Sequence, residues 1–586
     1  VHNLTNSGYS DSNGKWEHGG KAMLFQSDRA GYRSHGSWGA EDDAYIMFFD
    51  LDAYNRFNMS KEEIELADAN KDEKEKKEDE KKEEAKKKAD EKQKKTGKIE
   101  VEKVKPLELD IENCRDRIVR LTANSSHMGD AVLSKDGDKL YYQAAFEDGY
   151  DLWQHDLKDG STKLVMKGVG QGNLQTDKDV KNLFICNGSS IKKVDLSGFS
   201  TKNISFEANF NYKPAEERQY LFDHVWRQVK DKFYDPKIHG VDWEGYRKTY
   251  EKFLPYINNN FDFQEMLSEM LGELNASHTG ARYYASNSAL TTANLGVFFD
   301  PQYQGDGLKI QEIIKRGPFD VKNTGVTAGS IIESIDGEEI KAGMDYFPLL
   351  DGKVGKNVRL GIRNAKGKKM EVTVKAISQG KLNNLLYKRW VDRNRAFVDS
   401  ISGGRIAYVH VKAMDSESFR TVYSELLSDK NRNRDAVIVD ERHNGGGWLH
   451  DDLCTLLNGK QYQEFVPHGK VVGRDPFNKW VKPSCVMICE NDYSNGHGFP
   501  WVYKELGIGK LIGAPVAGTM TAVWWETLMD NTLVFGIPQV GCRDMRGVFG
   551  ENTQLNPDIE VYNSPEDFIN GHDTQLERAV KEMMKK

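Results

Sequence analysis

No run of 18 apolar residues occurs in the 586-residue chain, which excludes a transmembrane helix. Cysteine is sparse and scattered: Cys114, Cys186, Cys454, Cys485, Cys489 and Cys542 form no CxxC pair. A zinc cluster is therefore not expected, and a chain of this length needs no disulfide scaffold. Cys485 and Cys489 share one apolar run and read as packing residues. Positive charge does not dominate either. Lys and Arg number 82 against 90 Asp and Glu, a formal −8. That balance argues against a nucleic-acid protein, whose affinity comes from phosphate neutralisation. The chain opens at Val1 with neither Met nor a basic n-region and apolar h-region. Any targeting segment is expected to have been removed or to lie upstream.

The length suggests about four domains at roughly 150 residues each. Charge is unevenly placed among them. Between Lys71 and Lys95, 22 of 25 positions are charged, 12 of them Lys. This tract has no apolar stripe and cannot build a core, so it reads as an exposed loop inserted at about 61–100.

Around it the sequence is strand-like. Lys139-Leu140-Tyr141-Tyr142 follows a turn, and Asp151 to Leu157 alternates before Asp159-Gly160. A diverged copy follows about 43 residues later, from Thr176 to Cys186 and Ile191 to Leu196. Gly20 to Gly31 has the same texture. Short strands at a 40–45-residue period resemble β-propeller blades. Residues 1–205 hold two or three such units, fewer than closure needs, so a missing N-terminal portion is expected.

Helical spacing takes over near Pro214. Phe222, Val225, Trp226, Val229 and Phe233 form one stripe, and Phe263, Leu267, Met270, Leu271 and Leu274 another. Both read as core in a helical segment at 213–285. Residues 290–378 are β-rich, with Leu295-Gly296-Val297-Phe298 followed by several glycine turns. This stretch resembles a PDZ domain of the protease-associated type. The resemblance implies that backbone amides of the Leu295–Phe298 loop hold a peptide C-terminus, which pairs as an added strand. Ser330 departs from that pattern, where Asp is usual. From 380 to 586, strands and helices alternate, as in an α/β layer structure.

Three features of this last part carry chemistry. Asp440 to Gly447 ends an apolar strand in a glycine turn that could point amides at an anion. Ser494 lies between an apolar strand and a helical stretch; it reads either as a helix cap or as a nucleophile beside an amide donor. Gly550 to Val561 is a polar loop with carboxylates. Ser277-His278 at a helix end, the PDZ-like module, Arg442-His443-Asn444-Gly445-Gly446-Gly447, Asn491 to Gly496 and Glu551 occur in that order. The intervals are 47 residues from Gly447 to Ser494 and 57 from Ser494 to Glu551. Together these elements resemble the tricorn branch of the tail-specific (S41) serine peptidases.

The resemblance implies a multidomain protein: part of a β-propeller, a helical segment, a PDZ-like domain and an α/β, crotonase-like core. It implies Ser494 as nucleophile, His278 as base and acid, Ser277 and Glu551 orienting His278, and the amides of Gly447 and Asn495 as oxyanion hole. It also implies peptide or unfolded-protein substrates and a homo-oligomer, trimeric or hexameric, without cofactor or metal. A periplasmic location is expected, with a cytoplasmic one as the alternative.

Other readings compete. A Ser–Lys dyad would need a lysine some 25 residues after Ser494, where Ala514 to Thr521 has none, and Lys510 comes early. His497 lies one helical turn from Ser494 and could serve as base. His443 and His450 hint at a metal but lack further ligands at useful spacing. An inactive peptide-binding scaffold and an esterase are the remaining alternatives.

Overall fold

The computed structural model describes residues 1–32, 40–69, 106–147, 149–188, 190–209, 211–285, 290–322 and 324–585. The Lys71–Lys95 tract lies outside the described residues. The chain divides into two compact units, Val1–Asn211 and Tyr212–Lys586.

The first unit contains three four-stranded antiparallel sheets, each made from strands taken in chain order. The first holds Asp11–Glu17, Ala22–Ser27, Asp43–Phe48 and Ile118–Arg120. The second runs from His127–Leu133 to Thr162–Met166, and the third from Asn173–Thr176 to Thr201–Ile204. Alternation sets the faces: Leu24, Ile46, Phe48, Leu140 and Tyr142 meet in one core. Asp43–Phe48 pairs directly with Ile118–Arg120. The charged tract is thus inserted between neighbouring strands of one sheet. Buried Asp43 accepts from Ser125 Oγ at 2.7 Å and from Arg120 at 2.8 Å, which satisfies the carboxylate beside the returning strand.

In the second unit, the helices Pro214–Lys232, Trp243–Glu251 and Asn260–Gly272 come first. Their apolar stripes need a partner, and the far end of the chain supplies it. Phe222, Val225, Phe263, Leu267 and Met270 share a core with Leu533, Phe535 and Ile537. Those three lie in the hairpin Thr521–Thr527 and Leu533–Gly541. Strand Ala281–Tyr283 extends the same sheet, with Ala281 opposite Phe535. This packing carries residues 277 and 278 to the neighbourhood of 521 and 551.

The module after 290 is an antiparallel sheet in the order Val297–Phe299, Leu308–Ile313, Ile331–Ile335, Asn357–Arg363, Lys369–Lys375. Ile310, Ile332, Ile335, Val358 and Leu360 fill its core. Ser330 is buried in a turn, where its hydroxyl accepts from the Thr327 amide at 3.1 Å.

The remaining residues build a five-stranded parallel sheet: Ile406–His410, Ala436–Asp440, Ser484–Ile488, Lys510–Gly513 and Ile559–Glu560. Apolar clusters cover both faces, as a parallel sheet requires. The C-terminal ends of Ala436–Asp440 and Ser484–Ile488 lead into the loops that hold Glu441 to Gly447 and Cys489 to Ser494.

Candidate active site

The loop after Ser484–Ile488 is fastened by one carboxyl. Asp492 Oδ2 accepts from the Cys489 amide at 2.8 Å, and Oδ1 from the Asn444 amide at 3.2 Å. It thereby ties two neighbouring strand ends together. Burial pushes its pKa up to about 8. Ser494 follows at φ 58° and ψ −120°, immediately before the helix Asn495–Glu505. That conformation costs a non-glycine residue on the order of 1–3 kcal/mol. The Ser494 side chain makes no capping bond to the helix it precedes. The capping alternative therefore fails, and the sharp strand-to-helix turn leaves the hydroxyl uncommitted to the helix end. The Ser494 amide donates instead to Thr519 Oγ1 at 2.8 Å.

The glycine turn packs against this elbow. Gly446 sits at φ 94°, and a Cβ there would stand 2.6 Å from Ser494 Cβ. Gly447 is at φ 134°, with Met414 O 2.3 Å from where its Cβ would lie. Only glycine permits both approaches. Asn495 Oδ1 accepts from the amides of Leu449 at 2.7 Å and His450 at 3.1 Å, locking the helix start to the glycine loop. Beneath the loop, buried Arg442 pairs with Asp440 at 2.8 Å and Asp573 at 2.9 Å.

Ser277 and His278 arrive from more than 200 residues upstream. His278 has φ 62°. Its amide donates to Tyr493 Oη at 2.7 Å, and the two rings stand 4.8 Å apart. Nδ1 lies 2.8 Å from Ser277 Oγ and 3.0 Å from Thr521 Oγ1. Ser277 Oγ donates to Glu551 Oε2 at 2.8 Å, while its amide donates to Oε1 of the same carboxylate. With the Ser277 proton turned to Glu551, Nδ1 is the donor of the His278–Ser277 bond, and Nε2 keeps its lone pair. Burial lowers the His278 pKa to about 4, so the ring is neutral at pH 7. Burial also raises the Glu551 pKa, opposed by the two Ser277 donors.

Ser494, His278, Gly447 and Asn495 line one cavity of about 730 Å³, walled in part by Trp448, Trp501 and Trp525. His497 does not line it. Its Nδ1 accepts from the Thr519 amide at 3.1 Å, so the sequence neighbour supports the loop. No lysine lines the cavity among the described residues, and Lys510 pairs with Glu582 at 2.7 Å. His450 meets Asn495 Nδ2 at 2.8 Å, and His443 lies beside Asn491. Among the described residues no group of three His, Cys, Asp or Glu could hold a metal.

The Leu295–Phe298 loop lies outside this cavity. Leu295 and Val297 are buried, and the Gly296 amide is taken by Asn294 Oδ1 at 2.8 Å. Val297–Phe299 is the end strand of its sheet.

Tyr493, Thr519 and Thr521 are the contacts that sequence reasoning missed. Thr519 and Thr521 stand in the run read only for its want of lysine. Tyr493 falls inside the Asn491 to Gly496 segment with no signal of its own beyond standing next to Ser494. Nothing in local spacing ties a hydroxyl at 521 to an imidazole at 278.

Three family models match the chain: the tricorn protease C1 domain at 214–272, the tricorn protease PDZ domain at 300–379, and peptidase family S41 at 405–561. A tricorn protease homolog of Saccharolobus solfataricus is 26% identical over 459 residues, covering 74% of this chain and 41% of that protein. Tricorn protease homolog 1 of Streptomyces coelicolor is 27% identical over 501 residues, covering 80% and 47%. The chain thus spans less than half the length of these relatives. A tricorn protease crystal structure has the same fold over 99% of this chain and 55% of its own, with a TM-score of 0.76 at 18% identity. Among the described residues, no helix is long and apolar enough to cross a membrane.

Proposed function

Because the chain is a tricorn-like member of peptidase family S41, we propose that it is a serine peptidase acting on peptides or unfolded polypeptides through an acyl-enzyme. The observation that carries this reading is the Glu551–Ser277–His278 relay at the cavity that also holds Ser494.

In this mechanism Ser494 Oγ attacks the scissile carbonyl as its proton passes to His278 Nε2. A serine hydroxyl is a weak nucleophile without such a base. Ser277 accepts the Nδ1 proton bond and, with Glu551 behind it, stabilises the imidazolium that forms. The carbonyl oxygen becomes an oxyanion facing the amides of Gly447 and Asn495. Each such donor is worth on the order of 100- to 1000-fold in rate. His278 then protonates the leaving amine, the C–N bond breaks, and an ester to Ser494 remains. Water, deprotonated by the same imidazole, hydrolyses that ester.

Further parts of the reading follow the family. The three meanders of residues 1–211 serve as β-propeller blades. The edge of Val297–Phe299 offers a place for an added peptide strand. The chain assembles as a homo-oligomer.

Labelling with a fluorophosphonate tests the centre of it. The wild type should label, and Ser494→Ala and His278→Ala should not. Label persisting on Ser494→Ala would remove Ser494 from the role of nucleophile. Full activity in His278→Ala would remove the imidazole from the role of base.

A further inference from the structure

The cavity around Ser494 has an uneven electrostatic lining. Among the described residues it carries no Asp or Glu, and Arg282 is its one permanent charge. Arg282 lies four residues beyond His278, on strand Ala281–Tyr283. Its guanidinium carbon stands 3.8 Å from the centre of the Trp525 ring. Gly536 lies beneath that ring: a Cβ there would be 3.0 Å from the indole and 2.3 Å from His278 O. The missing side chain therefore lets the indole lie against the backbone, and the indole carries the cation. Arg282 is exposed, and no described carboxylate pairs with it. A stacked guanidinium keeps its in-plane N–H fork free while its face is held. That fork suits a carboxylate, which it can bind with two parallel hydrogen bonds.

We propose that Arg282, seated on Trp525, is a specificity-determining anchor that takes a carboxylate of the bound peptide beside the scissile bond. The inference rests on the serine-peptidase reading and adds a substrate class to it. The carboxylate comes from an Asp or Glu side chain or from the peptide's own C-terminus. Both present the same two oxygens to the fork. A lysine or arginine side chain in the same place meets a like charge and no countering acid.

Matched fluorogenic peptides separate the sources. One set carries Glu or Gln at each position flanking the cleaved bond; the other carries a free or an amidated C-terminus. The wild type should favour the carboxylate member of at least one pair by on the order of 10- to 100-fold in kcat/KM. Arg282→Met should bring that ratio towards one, and Arg282→Lys should restore part of it. The pair whose ratio collapses names the source. A wild type without either preference, or an Arg282→Met chain that keeps the ratio while both rates fall together, overturns the anchor. Binding of the same peptides to the Ser494→Ala chain, read by fluorescence anisotropy, gives the ratio without turnover. A chain that never labels with fluorophosphonate therefore fails the peptidase reading, while the binding ratio still decides the role of Arg282.

Discussion

The hydroxyl of Tyr493 accepts the backbone N–H of His278 at 2.7 Å, joining the residue before the elbow serine to the main chain of a histidine 215 positions upstream. His278 and Ser494, the residue after Tyr493, both lie at positive φ, 62° and 58°. Tyr493→Phe removes the acceptor and leaves the strained His278 amide unpaired. The expected result is a fall in kcat of on the order of tenfold with KM little changed, measured by steady-state peptide cleavage. An unaltered kcat would assign the positioning to ring packing instead.

The relay makes a graded prediction. Glu551 accepts two hydrogen bonds from Ser277, through the amide and through Oγ. Glu551→Gln can accept only one of them and turns a donor towards the other. A loss in kcat approaching about 10,000-fold is expected, the size seen when an orienting carboxylate becomes an amide. Fluorophosphonate labelling should slow in parallel, because the proposed Ser494–His278 proton transfer serves both reactions. Labelling at the wild-type rate would place the effect after acylation.

Acid should inactivate late. Burial depresses the His278 pKa from 6.5 to about 4, and in the proposed mechanism the imidazole must be neutral to accept the Ser494 proton. The acid limb of kcat/KM is therefore expected well below pH 6.5, nearer 4. The stability sign is separate. Between those two values the unfolded chain binds a proton that the folded chain refuses, so His278 withdraws stability as pH falls through this window. Near-UV circular dichroism recorded alongside the rates distinguishes titration from unfolding. An acid limb centred near 6.5 would mean that the ring is more hydrated than its surroundings here indicate.

Gly446→Ala tests the close approach of the two loops. The new methyl meets Ser494 Cβ at 2.6 Å and sits on a residue with φ 94°. Strain of on the order of 1–3 kcal/mol is expected, relieved by displacement of the elbow. The chain should fold, with urea unfolding shifted modestly, and lose nearly all cleavage.

Arg442→Met should act through stability. It leaves Asp440, fully buried, without the guanidinium that neutralises it. Breaking one side of such a pair costs about 3–5 kcal/mol, readable as a lower urea midpoint. Protonation of Asp440 at low pH should narrow the gap to wild type.

Much of this was legible in the order of residues. Helical stripes at 222–233 and 263–274 appear as buried helix faces because 3.6-residue periodicity is a local property. The glycine turn, the Ser494 segment and Glu551 were each ambiguous alone and became legible through their order and the family resemblance it carries. The two readings of Ser494 were not separable by spacing. Its backbone angles and the absence of a capping bond set the cap reading aside, and the nucleophile reading is the one proposed. Thr521 and Tyr493 were illegible because their meaning lies in pairings across more than 200 positions, imposed by the hairpin 521–541 packing on the first three helices.

That relay has a consequence for the timing of synthesis. Ser277 and Glu551 are 274 positions apart. A chain elongated only as far as residue 550 has its serine and imidazole but no carboxylate. It also lacks the last strand and the C-terminal helix Thr574–Met583, whose Leu576, Ala579 and Val580 cover one face of the parallel sheet. A nascent chain of this protein is itself an unfolded polypeptide, the class of substrate proposed for it. The contacts of Ser277 are therefore complete only once residue 551 has joined residues 277 and 278.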